Sequence, residues 1–213
     1  MSSEPTSLVE IEVDSLNDHE CMSHLISIIR YMKDKEMYPV PQTEEERKTV
    51  KLPSWMHSLK SKLIAETTEA NVKLFIIRLI LNSNETFQPF AKHFLVDILS
   101  LITTESLWPN GQVLNYFFLD VTVMLLSWSE ATNVIPSGSL MERSFTSTLF
   151  EQLVKGLDQP RREIFRYILD VIRLLIELWN SCLHLDYYTV YKLFSKTTYQ
   201  NNVLVPSERY IIL

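Results

Sequence analysis

The sequence predicts an all-α protein, a HEAT/armadillo-like helical-repeat solenoid fragment built from antiparallel helix pairs. Three observations carry that expectation. Apolar residues recur at helical spacing over most of the 213 residues, and no convincing pair of strands stands out. Only 3 glycines are present, against an average usage of roughly 7%, too few for a fold of tight hairpins or glycine-rich phosphate loops. From residue 68 onward the helices fall into pairs whose starts lie about 40 to 50 residues apart, the period of helical repeats.

Taken in order, residues 1–16 form a loose acidic N-terminus in which Val9, Ile11 and Val13 alternate with Glu10 and Glu12. Asn17 or Asp18 can cap a first helix over 17–37 that turns Met22, Leu25, Ile26, Ile29 and Met32 inward. Residues 38–51 read as a linker, with two prolines and an acidic run, a composition that predicts mobility. The repeats then occupy 52–196. Pro53 suits the first turn of a short helix that buries Trp55, Met56, Leu59 and Leu63. Thr68 caps the next helix, which runs to Leu81 and is apolar from Leu74 onward except at Arg78, the pattern of a helix covered on most sides. A helix over 86–102 places Phe90, Phe94, Leu95, Ile98 and Leu99 inward, with Pro89 marking its start or a kink.

Trp108-Pro109-Asn110-Gly111 is a strong turn, and 112–130 is the next helix. After a break at 133–138, Ser139 caps a helix to Lys155 with Met141, Phe145, Leu149 and Leu153 on its inner face, stopped by Gly156. The stretch 160–183 carries the widest apolar stripe: Ile164, Phe165, Ile168, Val171, Ile172, Leu175, Leu178 and Trp179. With Asp158 as cap and Pro160 in its first turn, this helix is the one around which the chain is expected to be organised. Asp186 starts a last helix through Phe194, and 197–213 is a divergent tail, read as truncated. The expected pairs are 68–81 with 86–102, 112–130 with 139–155, and 160–183 with 187–196. A compact irregular bundle is the alternative architecture. Neither end carries the polar capping of a free-standing repeat domain.

Charge narrows the function. Residues 1–50 hold 11 acidic and 5 basic side chains, whereas 51–213 hold 15 of each, so the body is neutral and does not suit an autonomous DNA-contacting module. Two cysteines give no disulfide framework, the N-terminus has no apolar signal core, and no apolar run is long enough for a membrane span. A soluble intracellular chain with no membrane partner is expected. His19, Cys21 and His24 lie within one turn, and Cys182 with His184 near a helix end, but neither group supplies the roughly four ligands of a zinc site. His57 and His93 sit among apolar residues and read as structural. Ser195 has no identifiable acid–base partner. Arg161, Arg162, Arg166 and Arg173 can meet phosphate, although pairing with Glu163, Asp170 and Glu177 explains them better. Phe87, Phe90, Phe94, Tyr116, Phe117 and Phe118 read as core rather than a base-stacking platform. No glycine-rich loop, H-R-D loop or D-F-G segment is present, so no enzyme, catalytic residue, cofactor site or metal site is expected in this chain.

LNDHECM (16–22), LPSWM (52–56), FQPFAKHFL (87–95), LLSW (125–128), FRYILDVIRLLIELWNSCL (165–183) and YKLFS (191–195) occur in that order. Together they resemble one continuous portion of the helical-repeat region of the DNA-dependent kinases in the phosphatidylinositol-3-kinase-related family. The resemblance covers roughly residues 16–195 and departs at both ends, which marks the chain as a piece of a larger protein. It implies a non-catalytic segment of a nuclear serine/threonine kinase that acts with the Ku heterodimer at broken DNA ends in non-homologous end joining. It also implies neighbouring repeats of the same parent protein as partners and a kinase domain that has no counterpart here. The rival reading is a free-standing α-helical adaptor that binds a protein partner in its concave groove.

Overall fold

Four of the described helices begin where a side chain accepts from a backbone N–H that the helix itself leaves unpaired. The computed structural model describes residues 19–104, 107–108, 115–157, 162–184, 199–200 and 203–204. Its helices are α1 (Glu20–Asp34), α2 (Glu44–Thr49), α3 (Ser54–Ile64), α4 (Ala70–Asn82), α5 (Asn84–Phe87), a 3-10 segment (Gln88–His93), α6 (Leu95–Ile102), α7 (Tyr116–Thr132), α8 (Leu140–Gly156) and α9 (Arg162–Trp179). The chain divides into two units, 1–135 and 136–213. The architecture is all-α, with one addition that the sequence reading missed. Tyr199–Gln200 (β1) pairs antiparallel with Val203–Leu204 (β2), a ladder of two residues per strand.

In the first unit, α1 is capped by His19, whose Nδ1 accepts from the Cys21 N–H at 3.2 Å. The expected caps Asn17 and Asp18 lie outside the described residues. Met22 and Ile29 are buried and Leu25, Ile26 and Met32 half-buried, so the predicted inner face of α1 is the observed one. Residues 38–51 hold more structure than their composition suggests. Thr43 and Glu46 form a reciprocal capping box on α2: the Thr43 hydroxyl accepts from the Glu46 N–H at 3.2 Å. The Glu46 carboxylate accepts from the Thr43 N–H at 3.2 Å and the Gln42 N–H at 2.7 Å. The segment is then tied down from outside. Lys92 donates to the Lys48 carbonyl, His93 Nε2 lies 3.0 Å from the Val50 carbonyl, and Arg47 donates to the Ala131 carbonyl at 3.3 Å.

Helices α3 and α4, joined by residues 65–69, pack side by side, and so short a connection makes them an antiparallel hairpin. This corrects the expected pairing of 68–81 with 86–102. The latter stretch is not one helix: it breaks into α5, the 3-10 segment and α6, with Pro89 at the start of the 3-10 turn and Phe90 at φ −104°, ψ 17°. Proline removes one ladder N–H and crowds the preceding turn, so a continuous helix is not available there. The cap of α4 also differs from expectation. Glu69 occupies the cap position without a side-chain bond, because the Thr68 N–H closes a turn on the Ala65 carbonyl.

Helix α7 is the axis of the first unit and packs against α4, the 3-10 segment and α6. Asn115 caps it through Oδ1, which accepts from the Phe118 N–H at 2.8 Å, and Asn133 ends it in the left-handed conformation at φ 56°. Phe117, Phe118, Leu119, Val121, Met124, Leu125, Leu126 and Trp128 are all buried, and the exposed or half-buried positions Tyr116, Asp120, Val123, Ser127, Glu130 and Ala131 form one strip along the helix. The hydroxyls this burial encloses are satisfied within the helix: Thr122 donates to the Phe118 carbonyl, Ser129 to Leu125 and Thr132 to Trp128. The stretch 160–183, expected to organise the whole chain, has this role only within the second unit.

There, α8 and α9 pack together, their connection 157–161 again short enough for an antiparallel pair. The Ser139 hydroxyl caps α8, accepting from the Glu142 N–H at 3.3 Å, after Gly138 turns the chain at φ +76°. Met141 does not face inward as expected; it is 65% exposed and Leu140 beside it 90%. The buried face is rotated towards Thr146, Leu149, Phe150 and Leu153, because the Thr146 and Ser147 hydroxyls donate to the Cys182 and His184 carbonyls at 2.9 and 3.0 Å. Along α9, Ile164, Ile168, Val171, Ile172, Leu175 and Trp179 are buried and Phe165 and Leu178 half-buried, as the spacing predicted. The helix ends at Trp179, whose carbonyl accepts from the N–H groups of Cys182 and Leu183. Asp158, Pro160, the turn at 109–111, the helix expected at 186–194 and most of the tail lie outside the described residues.

Candidate functional site

A polar groove on the first unit is the feature most able to receive another molecule. It comprises two depressions of about 510 and 450 Å³ that share Leu81, Asn82 and Asn84. One is walled by α1 through Arg30, Lys33 and Asp34, the other by α7 through Asp120, Met124 and Ser127, with Arg78 from α4. The sequence puts polar groups here for a structural reason. The α4–α5 junction, Asn82-Ser83-Asn84, is a helix end, where short hydrogen-bonding side chains replace the apolar run of α4.

Lys33 and Glu85 pair at 3.0 Å across the groove, and this bond holds the Glu85 carboxyl below its ordinary value, with Arg30 adding a smaller charge effect. At the other end, partial desolvation raises the Asp120 carboxyl and Arg78 opposes the rise. Arg78 also lies over the Phe117 ring, 5.4 Å from its centre. Asn84 Oδ1 accepts from the Trp128 indole N–H, which fixes the amide against α7. Ser83 is only 9% exposed, and its hydroxyl has no hydrogen-bond partner. A buried hydroxyl left unpaired costs about 1–3 kcal/mol. These groups can hold a ligand by hydrogen bonds and charge. Of the groove's serine hydroxyls, Ser127 donates to the Met124 carbonyl and Ser83 has no partner, so neither is bonded to a carboxylate that could act as its base.

The residues singled out by sequence are not brought together. His19 is spent on capping α1 and meets the Phe75 ring edge-on, Cys21 and His24 are exposed, and among the described residues no group of three His, Cys, Asp or Glu could hold a metal ion. Cys182 is buried and its thiol donates to the Trp179 carbonyl at 3.2 Å; burial pushes its pKa up, which leaves it a poor nucleophile. The His184 carbonyl accepts from Ser147, and its side chain is at the surface. His57 is exposed rather than packed, with Ser61 Oγ 3.5 Å from its Nδ1. His93 is structural: burial lowers its pKa, and Lys60 donates to its carbonyl at 2.6 Å while pairing with Asp97 at 2.9 Å.

Phe87, Phe90, Phe94, Phe117 and Phe118 are core, but Tyr116 is 42% exposed. Phe87 meets Trp55 and Phe94 edge-on, and Tyr38 joins the same cluster through Trp55 and Phe90. Arg166 and Arg173 lie on the outer face of α9, while Ser195, Arg161 and the side chain of Arg162 are outside the described residues. Sequence reasoning missed the groove. Its one available signal was the Asn82-Ser83-Asn84 run that follows the expected helix end at Leu81. Among the described residues, no helix is long and apolar enough to cross a membrane.

The comparisons with known proteins agree with one another. Residues 1–135 match the family model described as "DNA-dependent protein kinase catalytic subunit, CC3", and residues 147–204 match "DNA-PKcs, CC5". Proteins named DNA-dependent protein kinase catalytic subunit are similar to the chain in Xenopus laevis (35% identity over 190 residues, 89% of the chain), Gallus gallus (34% over 187, 88%) and Dictyostelium discoideum (26% over 199, 87%). In each case the chain spans about 4% of the relative's length. The gap between the two matched models, 136–146, begins where the structure divides into its two units.

Proposed function

We propose that this chain, which belongs to the family of the DNA-dependent protein kinase catalytic subunit, serves as a non-catalytic helical-repeat scaffold segment of a much longer kinase. The observation that carries the reading is the family match over residues 1–135, the whole first unit, to a portion outside any kinase domain. The interior supports it. Buried side chains are spent on packing α4, α6 and α7 together, not on positioning reactive groups.

The segment holds shape and passes small displacements along a stacked array, in which each repeat touches its neighbours and small shifts add up to a change of curvature. Its immediate partners are neighbouring repeats of the parent protein. The parent is a nuclear serine/threonine kinase that works with the Ku heterodimer at broken DNA ends in non-homologous end joining. DNA ends and the kinase site are contacted elsewhere in that protein.

The test is replacement in the Xenopus laevis relative. Deleting its matching 190 residues should abolish DNA-dependent phosphorylation, and inserting this chain in their place should restore it. Undiminished DNA-dependent activity after the deletion, or no recovery with the insert, would overturn the scaffold reading.

A further inference from the structure

Helix α2 differs from the helices around it in having no buried residue. Along residues 42–50 only Arg47 and Val50 are half-buried, and every other position is exposed. Burial of apolar surface, which holds most helices in place, therefore does little for this one. Six residues are also too few for a helix to persist alone, so α2 depends on its capping box and on bonds from outside.

Those bonds are three, and each ends on a main-chain carbonyl. Lys92 donates to Lys48, His93 Nε2 lies 3.0 Å from Val50, and Arg47 donates to Ala131, in the last turn of α7, at 3.3 Å. The Lys92 and Arg47 bonds lie at the surface, where water takes the place of either partner, so each adds little net stability. Closure also has a penalty of its own, because Arg47 Nε is enclosed without a hydrogen-bond partner. The flanks are held quite differently. Tyr38 and Pro41 are buried on one side, Tyr38 edge-on to the Trp55 ring, and Met56 is fully buried on the other.

We propose that residues 42–50 form a clasp that opens as one unit while the helices on either side stay packed. Closed, it fastens the 3-10 segment, through Lys92 and His93, to the last turn of α7, through Arg47. Open, it releases both. The first unit then has two states that differ by a few polar bonds and no core repacking, and a partner or load that prefers one of them shifts the balance. The proposal goes beyond the scaffold reading and does not depend on it.

The test is amide hydrogen exchange of the full 213-residue chain, read residue by residue by NMR at several urea concentrations below unfolding. The Arg47 and Val50 amides, bonded to the Thr43 and Glu46 carbonyls at 3.0 and 2.8 Å, report the clasp. They should exchange at least about tenfold faster than the Leu125 and Leu126 amides of α7, and with little dependence on urea, since opening exposes little surface. Lys92 is exposed, so replacing it leaves the core intact. Lys92→Ala should speed the two clasp amides by about a further tenfold and leave those of α7 unchanged, and Lys92→Arg, which keeps a donor for Lys48, should restore the parent rate. Clasp amides that exchange only at the rate and urea dependence of α7 would overturn the proposal. So would exchange as fast as in an unstructured peptide, or an equal acceleration of both sets by Lys92→Ala.

Discussion

Trp179 is fully buried at the end of α9, and truncating it empties the space of the largest side-chain type. Trp179→Ala should cost about 3–5 kcal/mol in a urea titration, as for other buried aromatic truncations; a loss below about 1 kcal/mol would show that the site collapses or was never packed. His93 gives a pH-dependent counterpart. Burial holds its pKa below the ordinary value, Lys92 and Lys60 add to the depression, and the Val50 carbonyl opposes it. The unfolded chain therefore binds the proton more readily than the folded one. The contribution of His93 is fully present above about pH 6.5 and is lost as the pH falls through the lower folded value. His93→Gln keeps a donor for Val50 and has nothing to titrate, so it should lose less stability than the parent between pH 7.5 and 5.5. An equal loss in both would rule out His93 as the cause. At this scale the stripe ending at Trp179 and the Ser139 cap were legible, because spacing and residue type decide them. His19 as a cap was not, because histidine is not among the preferred cap residues, and Met141 as exposed was not, since the inner face of α8 depends on contacts far along the chain such as that of Thr146 with Cys182.

The elements follow local chemistry until tertiary contacts outweigh it. Helix α2 exists inside an expected linker because Thr43 and Glu46 cap it and Lys92, His93 and Arg47 anchor it. The T-x-x-E pattern was in the sequence; the anchors were not visible there. Thr43→Ala should cost about 1 kcal/mol, read as faster amide exchange over residues 44–49 with the rest of the chain unchanged. Helix α7 has the opposite character. It is enclosed by α4, α6 and the 3-10 segment, so Leu125→Ala should cost about 2–5 kcal/mol. Met141→Lys, on the exposed start of α8, should stay within about 0.5 kcal/mol. Equal effects of these two substitutions would place the core wrongly. Helix α7 is apolar around most of its circumference and so lacks the sharp two-sided pattern that drew attention to α9, which is why its central place in the first unit was not read from periodicity.

At the scale of the molecule, the all-α class and the family were legible, since helical spacing and an ordered run of aromatic-rich motifs survive without tertiary information. The membership of the pairs was not. The break at Pro89 diverts 84–102 from α4 towards α7, and no period count anticipates that. The short β1–β2 ladder fell in a stretch of too few residues for alternation to register. The 15 basic and 15 acidic side chains of residues 51–213 are the charge expected of a segment that is not itself a DNA-contacting module. As a scaffold segment, the chain is proposed to support a kinase without itself turning over ATP. The most direct test is release of labelled phosphate from ATP by the purified chain, with Mg²⁺, a serine-containing peptide and DNA ends present. No turnover above buffer is expected. Turnover that co-purifies with the folded chain and disappears in Leu125→Ala would contradict it.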